Sequence, residues 1–293
     1  QWSLGSALAA PEKNPSFATD LYMSGTTFFT LGLGDVTPRE GWARFFTVME
    51  AGLGFGFLAL VIGYVPVIYQ TFSRREAQIS LLDARAGSPP CVGELLRRHV
   101  TERDVTDLVE HLRGWEHWCS ELMESHLSYP VLMYYRSQHD RQSWLASLTT
   151  ILDISALIMV GVDGISEQVG RFTFAIGRHA AVDLAQSLGK RPVAPEQDRL
   201  PAEQFDQLRE LLSELGLSFR DDATAREQLA ELRNMYEPYV NTLSQHLLMQ
   251  LPEWLPSQED IADDWQTSPW DHFTLTIQRP RSHGRRQKAY QAD

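Results

Sequence analysis

The chain has 293 residues, a formal net charge of −12 and only two cysteines, Cys91 and Cys119. That length holds one or two domains with a full core, and the acidic balance argues against nucleic acid as a partner. Two cysteines do not make a disulfide framework, and they suit a reducing compartment.

Residues 1–15 read as a loop, with no basic start and no sustained apolar run of the kind a signal peptide has. The sequence does not begin with methionine, so an upstream part is expected. From Ser16 to Phe29 a short helix is predicted, capped by Ser16 and carrying Phe17, Leu21, Ser24 and Phe28 at helical spacing. It is too short to cross a bilayer. The stretch "TTFFTLGLGDVTP", residues 26–38, follows, with a turn at Val36-Thr37-Pro38. A long apolar helix is then predicted from about Trp42 to Ser73. No charge occurs between Ala51 and Ser73, a helical length of about 34 Å against a hydrocarbon core of about 30 Å. Trp42 at one end and Arg74-Arg75 at the other orient it, with everything after residue 73 in the cytoplasm.

"DARAGSPPC", residues 83–91, is rich in helix breakers, and 76–92 is read as a linker. Beyond it Val105, Leu108, Val109, Leu112, Trp115 and Leu122 follow helical spacing, with Thr101 as candidate cap. A second apolar run, 143–162, has Asp153 at its centre, where a charge is costly in lipid. It is therefore read as the buried central helix of a cytoplasmic bundle. After a linker at 189–201 come helices over Phe205–Leu215 and about Thr224–Leu251, the latter kinked or broken at Pro238. A basic tail, 279–293, closes the chain; it is read as a disordered end, with contact to anionic headgroups as the alternative.

The glycines of 26–38 carry the functional argument. Irregular backbone at membrane depth is tolerated only when it is buried in protein or lines a water-filled path. Gly32 and Gly34 can take positive φ without a Cβ penalty, so that successive carbonyls point one way instead of alternating as in a strand. The carbonyls of Thr30, Leu31, Gly32 and Leu33, with the Thr30 hydroxyl, would then line a path, and the leucine side chains would turn back into the protein. Four copies around an axis stack these oxygens into rings that replace the hydration shell of a potassium ion.

With Thr30, Leu31, Gly32, Leu33, Gly34 and Asp35 in place, the segment resembles the pore domain of the potassium-channel superfamily, whose filter reads T-V-G-Y-G-D. The resemblance runs without a gap through Pro38, Trp42 and Arg44 to Gly54, over about residues 16–75. It implies an all-α membrane protein built as a homotetramer. Each subunit would supply a pore domain over 1–75: a pore helix at about 16–29, a filter at 30–35 and an inner helix at about 42–73. The outer helix would lie upstream, and a mostly helical cytoplasmic domain would follow over 93–278. It also implies that Asp35 is anchored behind the filter by a donor on the pore helix, here Tyr22, with Thr26 backing the filter. Gly54 matches the hinge glycine of the inner helix, and Pro66 resembles the bend of voltage-gated members. Two alternatives stay open: Gly52-x-x-x-Gly56 serves close packing, and Pro66 is a tolerated kink. Glu50, near the outer end of the inner helix, faces either the filter's rear or the outside.

The implied function is passive potassium conduction in the cell membrane, by a multi-pass protein with the lipid bilayer and its own copies as partners. Potassium is the permeant ion and no cofactor is expected. Gating through the cytoplasmic domain, by an unidentified ligand or partner, is part of that expectation. Leu33, in place of the usual aromatic brace, motivates a poorly selective cation channel as the rival. The length of residues 90–278 motivates another, a sensor or interaction module with a pore-like anchor. No G-x-G-x-x-G follows a strand, no arginine-rich voltage-sensing helix occurs, and no catalysis is assigned. His111, His117, Cys119 and His126 are poorly spaced for zinc, and Trp115 and Trp118 read as core.

Overall fold

A computed structural model describes residues 8–9, 16–100, 104–139 and 141–255. The all-α class is borne out: among the described residues the strands are two short pieces, β1 (Leu8–Ala9) and β2 (Thr37–Pro38), paired antiparallel with Leu8 opposite Pro38. The helices are α1 (Phe17–Phe28), α2 (Gly41–Ala86), α3 (Val92–His99), α4 (Thr106–Ser128), α5 (Trp144–Gly161), α6 (Glu167–Ser187), α7 (Ala202–Glu214), α8 (Asp222–Asn234) and α9 (Glu237–Leu247). The chain divides into two units. The first takes residues 1–78 and 120–136, the second 79–119 and 137–293, so that α2 and α4 each contribute to both.

In the first unit, Ser16 N–H donates to Thr19 Oγ1 at 3.3 Å and α1 begins. Among its buried or half-buried positions, Asp20, Met23, Ser24, Thr27 and Phe28 recur at helical spacing and form one stripe. A matching stripe runs down α2 through Ala43, Thr47, Glu50, Ala51, Gly54 and Leu58. Beside this stripe the first half of α2 is largely bare apolar surface: Trp42, Val48, Phe55 and Ile62 are each more than two-thirds exposed. With its 46 residues α2 is roughly 69 Å long, more than twice a hydrocarbon core. It is the described helix that combines membrane-spanning length and composition with an unburied surface.

Two expectations about this helix are corrected. It does not end near residue 73, and the linker expected from 76 is helical as far as Ala86. The charged run "SRREAQISLLDARA" looks like a boundary by composition, yet Ile79, Leu82 and Ala86 recur at helical spacing and are buried. The helix stops at Gly87, where φ is +84°. The helix also continues through Pro66, which removes one hydrogen bond without ending it.

The second unit is built around α5. Seventeen of its eighteen residues are buried, and Ser143 caps it, accepting from Ala146 N–H. Three of the hydroxyls inside donate to carbonyls: Thr149 to Leu145 O at 2.7 Å and Ser155 to Ile151 O at 2.6 Å, both one turn back, and Thr150 to Pro90 O at 3.0 Å. α6 approaches α5 through Gly170 and Gly177, two turns apart; a Cβ on Gly170 would meet the Ser155 carbonyl oxygen at 2.8 Å. Leu208, Leu212, Leu229, Val240 and Leu243 of α7 to α9 complete the core.

The reading of 143–162 as a buried central helix therefore holds. Asp153 is fully buried and Arg199 forks onto it at 3.1 and 2.6 Å, while the Tyr236 hydroxyl donates to the same carboxylate. Arg199 also reaches Glu237 at 3.2 Å and the Pro252 carbonyl at 2.8 Å. Burial works against the charge of Arg199, but Asp153 and its neighbours raise the guanidinium's pKa above its ordinary value. Burial, followed by the adjacent Asp153, raises that of the Tyr236 phenol. Sequence reading foresaw the carboxylate and missed its partners, which lie 46 and 83 residues away.

The predicted last helix is two helices, α8 and α9, broken at Met235-Tyr236 with Pro238 in the first turn of α9, where its missing N–H is no loss. The basic tail 279–293, the candidate cap Thr101 and most of residues 1–15 lie outside the described residues. α4 starts later than Thr101 would require, and Asp104 accepts from Thr106 N–H at 2.9 Å at its beginning.

Candidate functional site

Where α1 ends, the backbone leaves helical geometry in an ordered way. Phe29 N–H still donates to Gly25 O at 3.0 Å and Thr30 N–H to Thr27 O at 3.0 Å. The Thr26 carbonyl then takes two donors, Leu31 N–H at 2.7 Å and Gly32 N–H at 3.1 Å. Thr26 is itself held by its hydroxyl, which donates to Met23 O at 3.0 Å.

Beyond this anchor the backbone alternates in hand. Thr30 has φ +59°, Gly32 +53° and Gly34 +78°, whereas Leu31 and Leu33 between them stay outside the left-handed region. Glycine takes that conformation freely. Threonine does so at a cost of about 1–2 kcal/mol, since its Cβ crowds the following carbonyl. The glycine pattern was legible in the sequence; that the alternation begins one step earlier, at Thr30, was not.

The outer end is tied down by a side-chain bond. Tyr22 Oη donates to Asp35 Oδ2 at 2.8 Å, and Asp35 Oδ1 accepts from Val36 N–H at 3.0 Å. Arg44 Nε reaches the Pro38 carbonyl at 3.3 Å across the turn into α2. The expected pairing of Tyr22 with Asp35 is thus present as geometry. Leu31 and Leu33 are 63% and 59% exposed, so their own chain does not cover them.

Behind this loop α1 lies against α2. Gly54 touches the end of α1 so closely that a Cβ there would sit 1.8 Å from the Phe28 carbonyl oxygen. Gly52 and Gly56 have open space around them. Close packing thus has a geometric basis at Gly54, and in this subunit it has none at its neighbours. Glu50, whose direction sequence left open, turns inward and accepts a hydrogen bond from Ser24 Oγ.

At the other end of the same unit, Arg75 is buried at 4% exposure. Its guanidinium donates to Leu132 O at 3.0 Å and Tyr135 O at 2.7 Å, pairs with Glu76 and lies over the Phe72 ring. It also donates to His126 Nε2 at 3.1 Å, while His126 Nδ1–H donates to Leu122 O at 2.8 Å. Burial, and then the neighbouring Arg75, push the His126 imidazole down to about 3. Ring contacts between Tyr64 and Tyr129 and between Phe72 and Tyr135 extend this seam, which joins α2 to the end of α4 and the 3₁₀ turn Pro130–Tyr134. The sequence pointed to Arg75 as a cytoplasmic marker and gave no sign of these partners.

The residues weighed for zinc do not converge. His111 accepts from Trp115 Nε1 at 2.9 Å, Cys119 is a buried free thiol and His126 is held by Arg75. Among the described residues no three metal-ligating side chains come together. Trp115 and Trp118 are both buried.

Residues 2–70 match a family model described as an ion channel. The resemblance to the pore domain of the potassium-channel superfamily, read from TLGLGD and its flanks, is borne out over this window. The chain is also similar to an uncharacterized membrane protein, YdjJ, of Bacillus subtilis (strain 168), at 22% identity over 160 residues. The matched part is 54% of this chain and 46% of that protein, so the chain spans about half the length of the relative. No solved structure matches.

Proposed function

We propose that the chain is the pore-forming subunit of a homotetrameric, potassium-selective channel in the cell membrane. The observation that carries this reading is the left-handed backbone at Thr30, Gly32 and Gly34, alternating with Leu31 and Leu33 directly after a short helix. Backbone of alternating hand turns consecutive carbonyls to one side, and four such loops around an axis offer a dehydrated potassium ion stacked rings of oxygen. Thr30, Leu31, Gly32, Leu33 and Gly34 are the ion-binding residues on this reading. Asp35, Tyr22 and Thr26 hold them in place, and the bare apolar surface of α2 meets lipid and neighbouring copies.

The test is potassium flux in liposomes containing the purified full chain. A potassium gradient is expected to drive barium-sensitive flux in the parent and none in Gly32→Asp. Equal behaviour of the two proteins defeats the reading.

Selectivity is a second question, raised by the exposed Leu33 where family members carry an aromatic brace. Leucine keeps the carbonyl but brings no ring hydrogen bond. Reversal potentials in mixed sodium and potassium decide it: a value near the potassium potential supports the selective channel, and one near zero supports the non-selective rival.

Gating through a cytoplasmic helical domain is the third element. The seam at Arg75 supports it, since the end of α4 and the 3₁₀ turn are fastened directly to α2, nine residues beyond Pro66. Gly54 and Pro66 are then the positions in α2 where a change at that seam reaches the pore.

A further inference from the structure

Ser24 and Phe28 are one turn apart on α1, and Glu50 and Gly54 are one turn apart on α2. The Ser24 hydroxyl donates to the Glu50 carboxylate, and the Phe28 carbonyl leaves no room for a Cβ on Gly54. The two contacts share one register, so α1 and α2 are pinned at two points along a common line. The Phe28 and Phe57 rings, 6.0 Å apart, continue it. Thr26 lies between the two pinned positions of α1, and its carbonyl holds the N–H groups of Leu31 and Gly32.

We propose that Glu50 is a positioning residue for the filter: by accepting from Ser24 it fixes the register of α2 on α1, and through Thr26 the placement of Leu31 and Gly32. This rests on the pore reading above. A carboxylate at membrane depth is costly unless it is hydrogen-bonded. What the role requires is the accepting oxygen, and glutamine supplies one as well. Leucine matches the bulk and removes the acceptor. Gly54 supplies the close approach, and Glu50 supplies the directional bond that prevents sliding.

The experiment compares the full-length parent with Glu50→Gln, Glu50→Leu, Ser24→Ala and the Ser24→Ala/Glu50→Leu double variant. Thermal melting in detergent and single-channel recording in planar bilayers are the readouts. Glu50→Gln is expected to match the parent. Ser24→Ala and Glu50→Leu are expected to shorten the open time roughly three- to tenfold, the scale of one lost hydrogen bond. The double variant should be no worse than the poorer single one. A role confined to stability would shift melting while leaving open time unchanged, which overturns the proposal. So do additive losses, or open times in Ser24→Ala equal to those of the parent. If the parent conducts nothing, the pore reading fails. The melting cycle still judges the contact: non-additive shifts uphold the pin between the helices, and additive shifts reject it.

Discussion

The phenol of Tyr22 donates to the carboxylate of Asp35 at 2.8 Å, joining the second turn of α1 to the end of the TLGLGD stretch. The loop of alternating hand is thereby closed at both ends: by the Thr26 carbonyl where it leaves the helix, and by this bond where it turns back. Tyr22→Phe removes the donor and leaves the ring. The expected outcome is a conducting protein whose potassium flux decays faster than that of the parent, with Tyr22→Trp, which restores an N–H donor, intermediate. Flux time courses in liposomes measure this, and a parent-like decay in Tyr22→Phe counts against the bond having any role in the filter.

Gly54→Ala places a methyl carbon inside the Phe28 carbonyl. Relief requires a backbone shift, for which overpacking costs of about 1–3 kcal/mol set the lower end. Gly52→Ala meets nothing within 4 Å in its own subunit and improves helix propensity by about 1 kcal/mol. Melting in detergent is expected to fall for the first and hold or rise for the second.

Arg75→Ala removes the guanidinium donor from the Leu132 and Tyr135 carbonyls, of which the first keeps Tyr135 N–H at 3.2 Å. Loss of charge-assisted bonds to buried carbonyls costs about 1.5–3 kcal/mol. Lysine recovers part of it, since a point charge cannot reproduce the planar fork that reaches both oxygens. Limited proteolysis across 129–136 should accelerate in the order parent, Arg75→Lys, Arg75→Ala.

His126 gives that seam a pH dependence. Its folded pKa of about 3 lies below the ordinary histidine value, because burial and Arg75 disfavour the imidazolium. Between the two values the unfolded chain binds a proton that the folded one refuses. Stability is therefore full above about pH 6.5 and declines as pH falls toward 3. His126→Gln should flatten this part of the curve; melting temperature measured from pH 7.5 to 4.5 in both proteins gives the comparison.

In the second unit, Arg199→Met strands the Asp153 carboxylate and is expected to cost about 3–5 kcal/mol. Asp153→Leu combined with Arg199→Met removes both charges and should cost less than the single change. Urea unfolding followed by the fluorescence of Trp144 and Trp254, both fully buried, distinguishes the two.

What the sequence revealed follows a physical divide between local and distant contacts. The Gly-x-Gly rhythm, the uncharged run and the buried character of 143–162 are local patterns, and the structure bears each pattern out. The Tyr22–Asp35 pairing came from the matched motif, which carries its own spacing. Arg75 shows the opposite case. By position it is a basic residue after an apolar helix, and nothing within its own turn indicates two carbonyls 57 and 60 residues away. Ala86 failed as a legible boundary for a similar reason, because the charged residues interspersed with Ile79 and Leu82 concealed their buried stripe. Gly54 matched a hinge through the resemblance, and the approach of the Phe28 carbonyl gives it a geometric reason to be glycine.

The two fastenings of α2 within its first unit have a mechanical consequence. On an ideal helix Glu50 and Arg75 lie roughly 37 Å apart along the axis and within roughly 20° of the same face. Such a strut, held at both ends and about as long as a bilayer is thick, cannot answer a thinner membrane by tilting freely. Pro66, between the fastenings and short of one hydrogen bond, is where the misfit would be taken up. On the pore reading, acyl-chain length in the surrounding lipid would thereby act as a force on this subunit.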